Sequence, residues 1–250
     1  MIKQNEYGTA DIQQVLYDTI LVFHDFCEKN GIKYSLDGGS CLGAVRHNGF
    51  IPWDDDLDVV LTREYYNLLK KKITFCKELT IHKDLWVDRI QLVGAKAIRG
   101  YVPTLDVFIV DNAPDSSIMF KAKILLLRVL QGMLKKDIDY SAYSAPYKAA
   151  LFICHWLGKP FKERTVLGWY DRISQIGNKK KTKYIHCPNS LFSFLPYRFA
   201  PDTWDHPVLH RFEGTELYIP HKYDDILKTY YGDYMKLPDE KNRRPEHVLE

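Results

Sequence analysis

Four carboxylates fall within five residues at Asp54-Asp55-Asp56-Leu57-Asp58. Like charges held this close repel one another, so the cluster is costly unless water or a cation relieves it. In an extended segment Asp54, Asp56 and Asp58 would share one face, because side chains alternate along a strand. Hard oxygen ligands on one face suit Mg²⁺ or Mn²⁺, with phosphate oxygens and waters completing the octahedron. An acidic turn or a calcium loop is the plain alternative. An EF-hand is excluded, because the twelfth position counted from Asp54 is Tyr65, where that loop needs a Glu.

The surroundings favour chemistry over a plain turn. Gly38-Gly39-Ser40 follows an apolar stretch and precedes Cys41-Leu42-Gly43-Ala44-Val45, which can form a helical turn. Glycines let the backbone approach a phosphate, and a helix start offers free N–H groups to an anion. Arg46 and His47 come next and can supply positive charge to phosphate oxygens. Asp106 places another carboxylate in the apolar run Leu105-Asp106-Val107-Phe108-Ile109-Val110, where an unpaired charge would be expensive. Two clustered carboxylates, one distant carboxylate and a glycine-rich turn together describe a two-metal phosphoryl-transfer site, running from Asp37 to Asp58 and completed by Asp106.

These residues need elements to hold them. Ile12, Leu16, Ile20 or Phe23, and Cys27 recur at helical steps, so the periodicity predicts a helix over 9–30, capped by Thr9 and closed by Gly31. Strands are predicted at 32–36, 57–61 and 105–110, a strand pair within 85–100, and a helix over 62–72. The first ~115 residues thus read as α/β with a mostly buried sheet. Helices are predicted over 116–136, 145–157, 163–176 and 223–230, the last ended by Gly232. Within 118–136, Lys121, Arg128 and Lys135 form one narrow basic stripe on an otherwise apolar helix. That pattern fits a buried helix with one wet edge, or an interfacial helix bringing the chain to a membrane.

Composition bounds the function. Hydrophobic residues make up 46% and charged residues 27% of the 250, ordinary for a folded globular protein. A net charge of +3 argues against nucleic acid as partner. The cysteines number five, with no C-x-x-C pair, as expected of reduced thiols. The opening residues lack the apolar stretch of a signal peptide, and no apolar run reaches the ~20 residues that cross a bilayer. A cytoplasmic protein is expected, with peripheral contact at the inner face of the membrane as the alternative.

The segment Tyr34-Ser35-Leu36-Asp37-Gly38-Gly39-Ser40-Cys41-Leu42-Gly43-Ala44-Val45-Arg46-His47-Asn48-Gly49-Phe50-Ile51-Pro52-Trp53-Asp54-Asp55-Asp56-Leu57-Asp58 resembles the signature of the LicD family. That family comprises phosphocholine transferases of bacterial surface glycans and has fukutin and fukutin-related protein among its relatives. Leu105 to Asp111 resembles its second acidic strand; Phe212-Glu213-Gly214, Ile219-Pro220 and Tyr231-Gly232-Asp233-Tyr234-Met235 resemble its closing motif. The resemblance is weakest from about 115 to 207. It implies a nucleotidyltransferase-like mixed sheet flanked by helices, with a catalytic lobe at 1–115 and a mainly helical accessory lobe at 116–250. It also implies that Asp56, Asp58 and Asp106 are the metal ligands and catalytic carboxylates, for Mg²⁺ or Mn²⁺. Gly38, Gly39, Ser40, Arg46, His47, Trp53 and Asp54 would contact substrate. The implied donor is a CDP-activated alcohol and the acceptor a glycan or lipid-linked glycan, with CMP released. Cys41 departs from the expected apolar residue and reads as packing.

Other signals are weaker. His206-x₃-His210 could pair on zinc, but Pro207 disfavours a helix there. Lys179 to Lys183 reads as a solvated loop, or as a contact for acidic lipid or a polyphosphate. CDP-choline leads as donor; CDP-ribitol and CDP-glycerol would keep the chemistry and change the cargo. A choline cargo calls for aromatic faces near the metal, Trp53 among them, or Trp53 packs under the Pro52 turn. A catalytically inactive nucleotide- or glycan-binding relative is the reading from another class.

Overall fold

The computed structural model describes residues 2, 4–136, 138, 140 and 144–245. In chain order its elements begin α1 (Ala10–Asn30), β1 (Ser35–Leu36), α2 (Gly38–His47), β2 (Leu57–Thr62), α3 (Arg63–Ile73), β3 (Leu79–Asp84), β4 (Val87–Leu92) and β5 (Leu105–Ala113). There follow α4 (Ser117–Leu134), α5 (Ala145–Gly158), α6 (Glu163–Ser174), β6 (Tyr184–His186), β7 (Val208–Phe212), β8 (Thr215–Ile219) and α7 (Tyr223–Tyr231). The architecture is α/β: strands lie in the order β1-β2-β5-β4-β3, β6 pairs with β5, and β7 and β8 form a hairpin.

Contacts divide the described chain into two units. The first holds the residues up to His82, Asp88–Ile109 and those from Asp202 onward; the second holds Lys83–Val87 and Val110–Pro201. The chain leaves the first unit at Val110 and returns to it at Asp202. The returning stretch carries the β7–β8 hairpin, whose Phe212, Leu217 and Ile219 are fully buried in the first unit's core.

In that unit α1 buries Ile12, Leu16, Ile20, Phe23 and Cys27, the predicted stripe, and Gly31 closes it in the left-handed conformation at φ 64°. Thr9 is not a side-chain cap. Its hydroxyl donates instead to the Pro52 carbonyl at 2.7 Å. Gln13 Nε2 donates to the carbonyls of Ile51 at 3.0 Å and Asp54 at 2.8 Å. One end of α1 thus grips the backbone that leads into the acidic cluster.

The predicted strand at 32–36 shortens to Ser35–Leu36, paired antiparallel with β2 as Ser35↔Val60 and Leu36↔Val59. The strand pair expected within 85–100 is the hairpin of β3 and β4, with Leu85 at φ 52° in its turn. β3 escaped the reading because, apart from Leu79, its residues are polar or only partly buried. Residues 93–100 are turns closed by an isolated Ile98–Tyr101 bridge.

In the second unit α4 is capped by the Ser116 hydroxyl, which accepts from the Met119 amide, and it buries Phe120, Ile124, Leu127, Leu130 and Leu134. Val166 and Tyr170 of α6 join that core. Lys121 is exposed and Arg128 and Lys135 are half-exposed, but Ile118, Met119, Leu125 and Leu126 are exposed too, so the open face of α4 is wider than the basic stripe. Lys123 is buried, and its ammonium donates to the Asn112 and Ile176 carbonyls at 3.3 and 2.9 Å. Among the described residues no helix is long and apolar enough to cross a membrane.

Candidate active site

The antiparallel β1–β2 pair sets Asp37 beside Asp58, and the Asp37 amide donates to the Asp58 carbonyl at 3.0 Å. Asp37 then starts α2. Ser40 is buried, and its hydroxyl accepts from the Asp58 amide at 2.8 Å. The helix start and the acidic strand are therefore locked together by two hydrogen bonds.

The glycine pair has a local reason. A Cβ on Gly38, which sits at φ 51°, would lie 2.7 Å from Asp58 Oδ2, and one on Gly39 would lie 2.9 Å from Asp54 Oδ2. Only bare backbone leaves room for both carboxylates at the first turn of α2. Asp54, Asp55 and Asp56 precede β2, which begins at Leu57, so the expected strand covers only Asp58. The alternation survives: Asp55, Leu57 and Val59 are buried, while Asp54, Asp56 and Asp58 are half-exposed.

Asp106 lies opposite Arg89 in the β4–β5 register. Arg89 Nε reaches Asp106 Oδ1 at 3.0 Å. Burial, and then the charges of Asp56, Asp106, Asp37 and Asp54, push the Asp58 carboxyl well above the usual carboxylate range. Burial raises Asp37 to about 6, against a lowering hydrogen bond from Gly38. Burial and the charge of Asp58 push the Tyr231 phenol well up; burial and Asp106 do the same to Tyr101.

Arg46 donates from Nη1 to the Tyr234 carbonyl at 2.7 Å and from Nε to His47 Nε2 at 2.9 Å. Accepting that bond requires a neutral imidazole on the nitrogen concerned, and burial and the Arg46 charge both lower the His47 pKa. His47 thus accepts from Arg46 through Nε2 in this arrangement. Trp53 meets Tyr7 and His47 edge-on at 5.6 and 6.3 Å and lies under the Arg243 guanidinium at 5.6 Å, so its ring is engaged in packing. Cys41 is buried and its thiol is pushed up by burial, as a packing residue's would be.

Sequence reasoning missed Arg89, Tyr101 and Tyr231. Nothing local marks Arg89, because its meaning depends on the β4–β5 register; Tyr231 was visible only inside the closing motif. That motif also acts through Glu213, whose Oε1 accepts from the Phe50 amide at 3.0 Å and whose own amide donates to the Asn48 carbonyl at 2.9 Å. The clasp fixes the loop between α2 and the acidic cluster.

The donors suit a divalent cation in kind: all are hard oxygens, they raise one another's proton affinity, and the buried Asp37 Oδ1 has no hydrogen-bond partner. As placed, no three His, Cys, Asp or Glu side chains among the described residues close around an ion. The carboxylates border a site without enclosing it.

Comparison with known proteins agrees with this geometry. Residues 31–119 match the family model described as LicD/FKTN/FKRP, nucleotidyltransferase domain. The chain is 29% identical over 263 aligned positions to the lipopolysaccharide cholinephosphotransferase LicD of Haemophilus influenzae, covering 95% of each. An uncharacterized protein of Rickettsia typhi is 43% identical over 60 residues, 24% of this chain and 18% of that protein. The human ribitol 5-phosphate transferase FKRP is 56% identical over 32 residues, 13% of this chain and 6% of FKRP. The matched segment contains both the acidic cluster and Asp106, so over residues 31–119 the chain is similar to the nucleotidyltransferase domain of that family.

Proposed function

We propose that this chain is a metal-dependent phosphotransferase that moves a phosphocholine-type group from a CDP-activated alcohol to a hydroxyl of a cell-surface glycan or teichoic acid precursor. CDP-choline is the donor the reading favours, and CMP is the product released. The observation that carries it is the gathering of Asp54, Asp56, Asp106 and Asp37 about Asp58, with Asp58 and Asp54 set against the glycine start of α2. A relative that matches along almost its whole length is named a lipopolysaccharide cholinephosphotransferase, which supports transfer of a phosphate-bearing group to a glycan.

In this reading Asp56, Asp58 and Asp106 hold Mg²⁺ or Mn²⁺, which when bound neutralises the diphosphate and acidifies the attacking hydroxyl. The protein's own share is positioning and charge. Ser40 and the Asp37 amide hold Asp58 against α2, whose first N–H groups orient the donor's phosphates. The acceptor oxygen forms a bond to phosphorus while the bond to the CMP oxygen breaks, and CMP leaves with that electron pair. The hydroxyl proton passes to Asp106, which Arg89 holds in place. Tyr231 and Tyr101 are the rings beside the carboxylates, and their faces suit a trimethylammonium group. In this reading the enzyme works in the cytoplasm or at the inner face of the membrane.

The test is to incubate the protein with CDP-choline, CDP-ribitol and CDP-glycerol, Mg²⁺ or Mn²⁺, and a lipopolysaccharide or teichoic acid acceptor, and to follow CMP. CMP from CDP-choline, abolished by EDTA, is expected. CMP from CDP-ribitol or CDP-glycerol alone changes the cargo. No CMP from any donor with either metal rejects the reading.

A further inference from the structure

α5 is built inside out. It rests on α4 through Leu151 and a set of small positions. A Cβ on Gly132 of α4 would meet Cys154 at 2.7 Å, and one on Gly158 would meet the Met133 carbonyl at 2.6 Å. His155 Nδ1 lies 2.9 Å from the Lys135 carbonyl, on the same stripe. Leu151 packs inward against Gly132, but Phe152, Ile153, Trp156 and Leu157 all face outward, each more than half exposed. At 100° per residue these four span about 140° of the helix circumference, a continuous face. A soluble chain ordinarily turns such a face inward, and an exposed apolar patch of this kind marks an interaction surface.

Charge says which partner fits. From Ser116 to Lys162 the sequence holds eight lysines and arginines against two acidic residues, Asp137 and Asp139. Lys148 and Lys159 fall at the edge of the apolar face, and the Lys159 ammonium stands 3.6 Å from the Trp156 ring centroid. Arg128 caps the Phe192 ring at 4.0 Å, and Tyr147 meets the same ring at 6.0 Å. Cations rimming exposed aromatic and aliphatic side chains are the pattern of a helix lying in a membrane interface. A second copy of the chain is a poorer partner, because a two-fold contact would set this cationic rim against itself. Spanning is excluded for α5, which has 14 residues where a bilayer needs about 20.

We propose that the outer face of α5 docks the chain on an anionic lipid surface, with Phe152, Ile153, Trp156 and Leu157 at the acyl boundary and Lys148 and Lys159 at the headgroups. The face belongs to the second unit and shares no residue with the carboxylate site, so the proposal stands independently of the donor's identity.

Flotation of the full chain with phosphatidylcholine vesicles, with and without phosphatidylglycerol, tests it. At low salt the protein is expected to float with the anionic vesicles and far less with the neutral ones. Phe152→Ser combined with Trp156→Ser should weaken binding by at least about tenfold, with an unchanged circular dichroism spectrum, because both side chains are already in water. Lys148→Glu with Lys159→Glu should weaken it comparably, and added salt should mimic that loss. No flotation with anionic vesicles at low salt overturns the proposal, as does undiminished flotation of either variant. A concentration-dependent dimer abolished by the serine substitutions, with no vesicle binding, would assign the face to a second copy instead.

Discussion

At Asp58 burial and the charges of Asp56, Asp106, Asp37 and Asp54 all oppose ionisation. A carboxylate under such repulsion is one that a bound cation would relieve. Removing one charge should relieve the fold and cripple the chemistry: Asp58→Asn and Asp56→Asn are each expected to lower CMP release by about a hundredfold or more while keeping or raising the melting temperature. Full activity in Asp58→Asn would reject its role. Asp37 offers a separate reading by pH. Its pKa is raised to about 6 in the folded chain, from an ordinary 3.8. The folded state therefore holds the proton more tightly than the unfolded one. The resulting stabilisation is full below pH ~4 and is lost as pH rises through about 6. Asp37→Asn, always neutral, should be the more stable protein at pH 7.5 in EDTA by up to about 3 kcal/mol, and no more stable than wild type at pH 4. Melting curves at both pH values check this; an equal advantage at both would show that charge is not the cause.

Between elements the decisive joint is α2 against β2. Ser40→Ala leaves the buried Asp58 amide without its acceptor, which should cost about 1–3 kcal/mol and lower CMP release together. Gly39→Ala should separate the two effects. Its new methyl meets only the end of the Asp54 side chain at 2.9 Å, so the fold can yield while Asp54 is displaced. A retained melting temperature with reduced CMP release is expected; unchanged turnover would remove Asp54 from the site. The same joint shows what could be read from the sequence. α1 followed from apolar spacing, and β5 from its apolar run, because burial on one face writes a period into the chain. The acidic triplet kept its alternation although only Asp58 lies in the strand, since burial of Asp55, Leu57 and Val59 imposes the same period on the loop. Arg89 opposite Asp106, Glu213 at the Phe50 amide and Gln13 on the Asp54 carbonyl were not legible. Each depends on strand register or on contacts 17 to 163 residues apart in sequence, which no local pattern records. The glycine pair was found but partly misread, because its bare backbone makes room for the protein's own carboxylates as well as for any phosphate.

Across the whole molecule a net charge of +3 conceals a strong separation: acids converge at the start of α2, and cations collect along residues 116–162. Near-neutrality overall means that the acidic cluster is not relieved by the molecule's mean field. A divalent ion at the cluster should therefore stabilise the folded chain by mass action, since the unfolded chain offers no such convergence. At a hundred times its dissociation constant the ion would contribute about 2.7 kcal/mol. For a chain of this size that corresponds to a rise of roughly 5–10 °C in melting temperature. Because the cluster lies within one of two units, the rise should fall on that unit's transition if the two melt separately. Mn²⁺ or Mg²⁺ should produce it, EDTA should reverse it, and NaCl at matched ionic strength should not reproduce it. The comparison that decides is the double variant Asp56→Asn/Asp58→Asn, which should begin from a higher melting temperature in EDTA and gain almost nothing from the ion. An equal gain in that variant would place the ion elsewhere on the protein and leave the repulsion between these carboxylates without its partner.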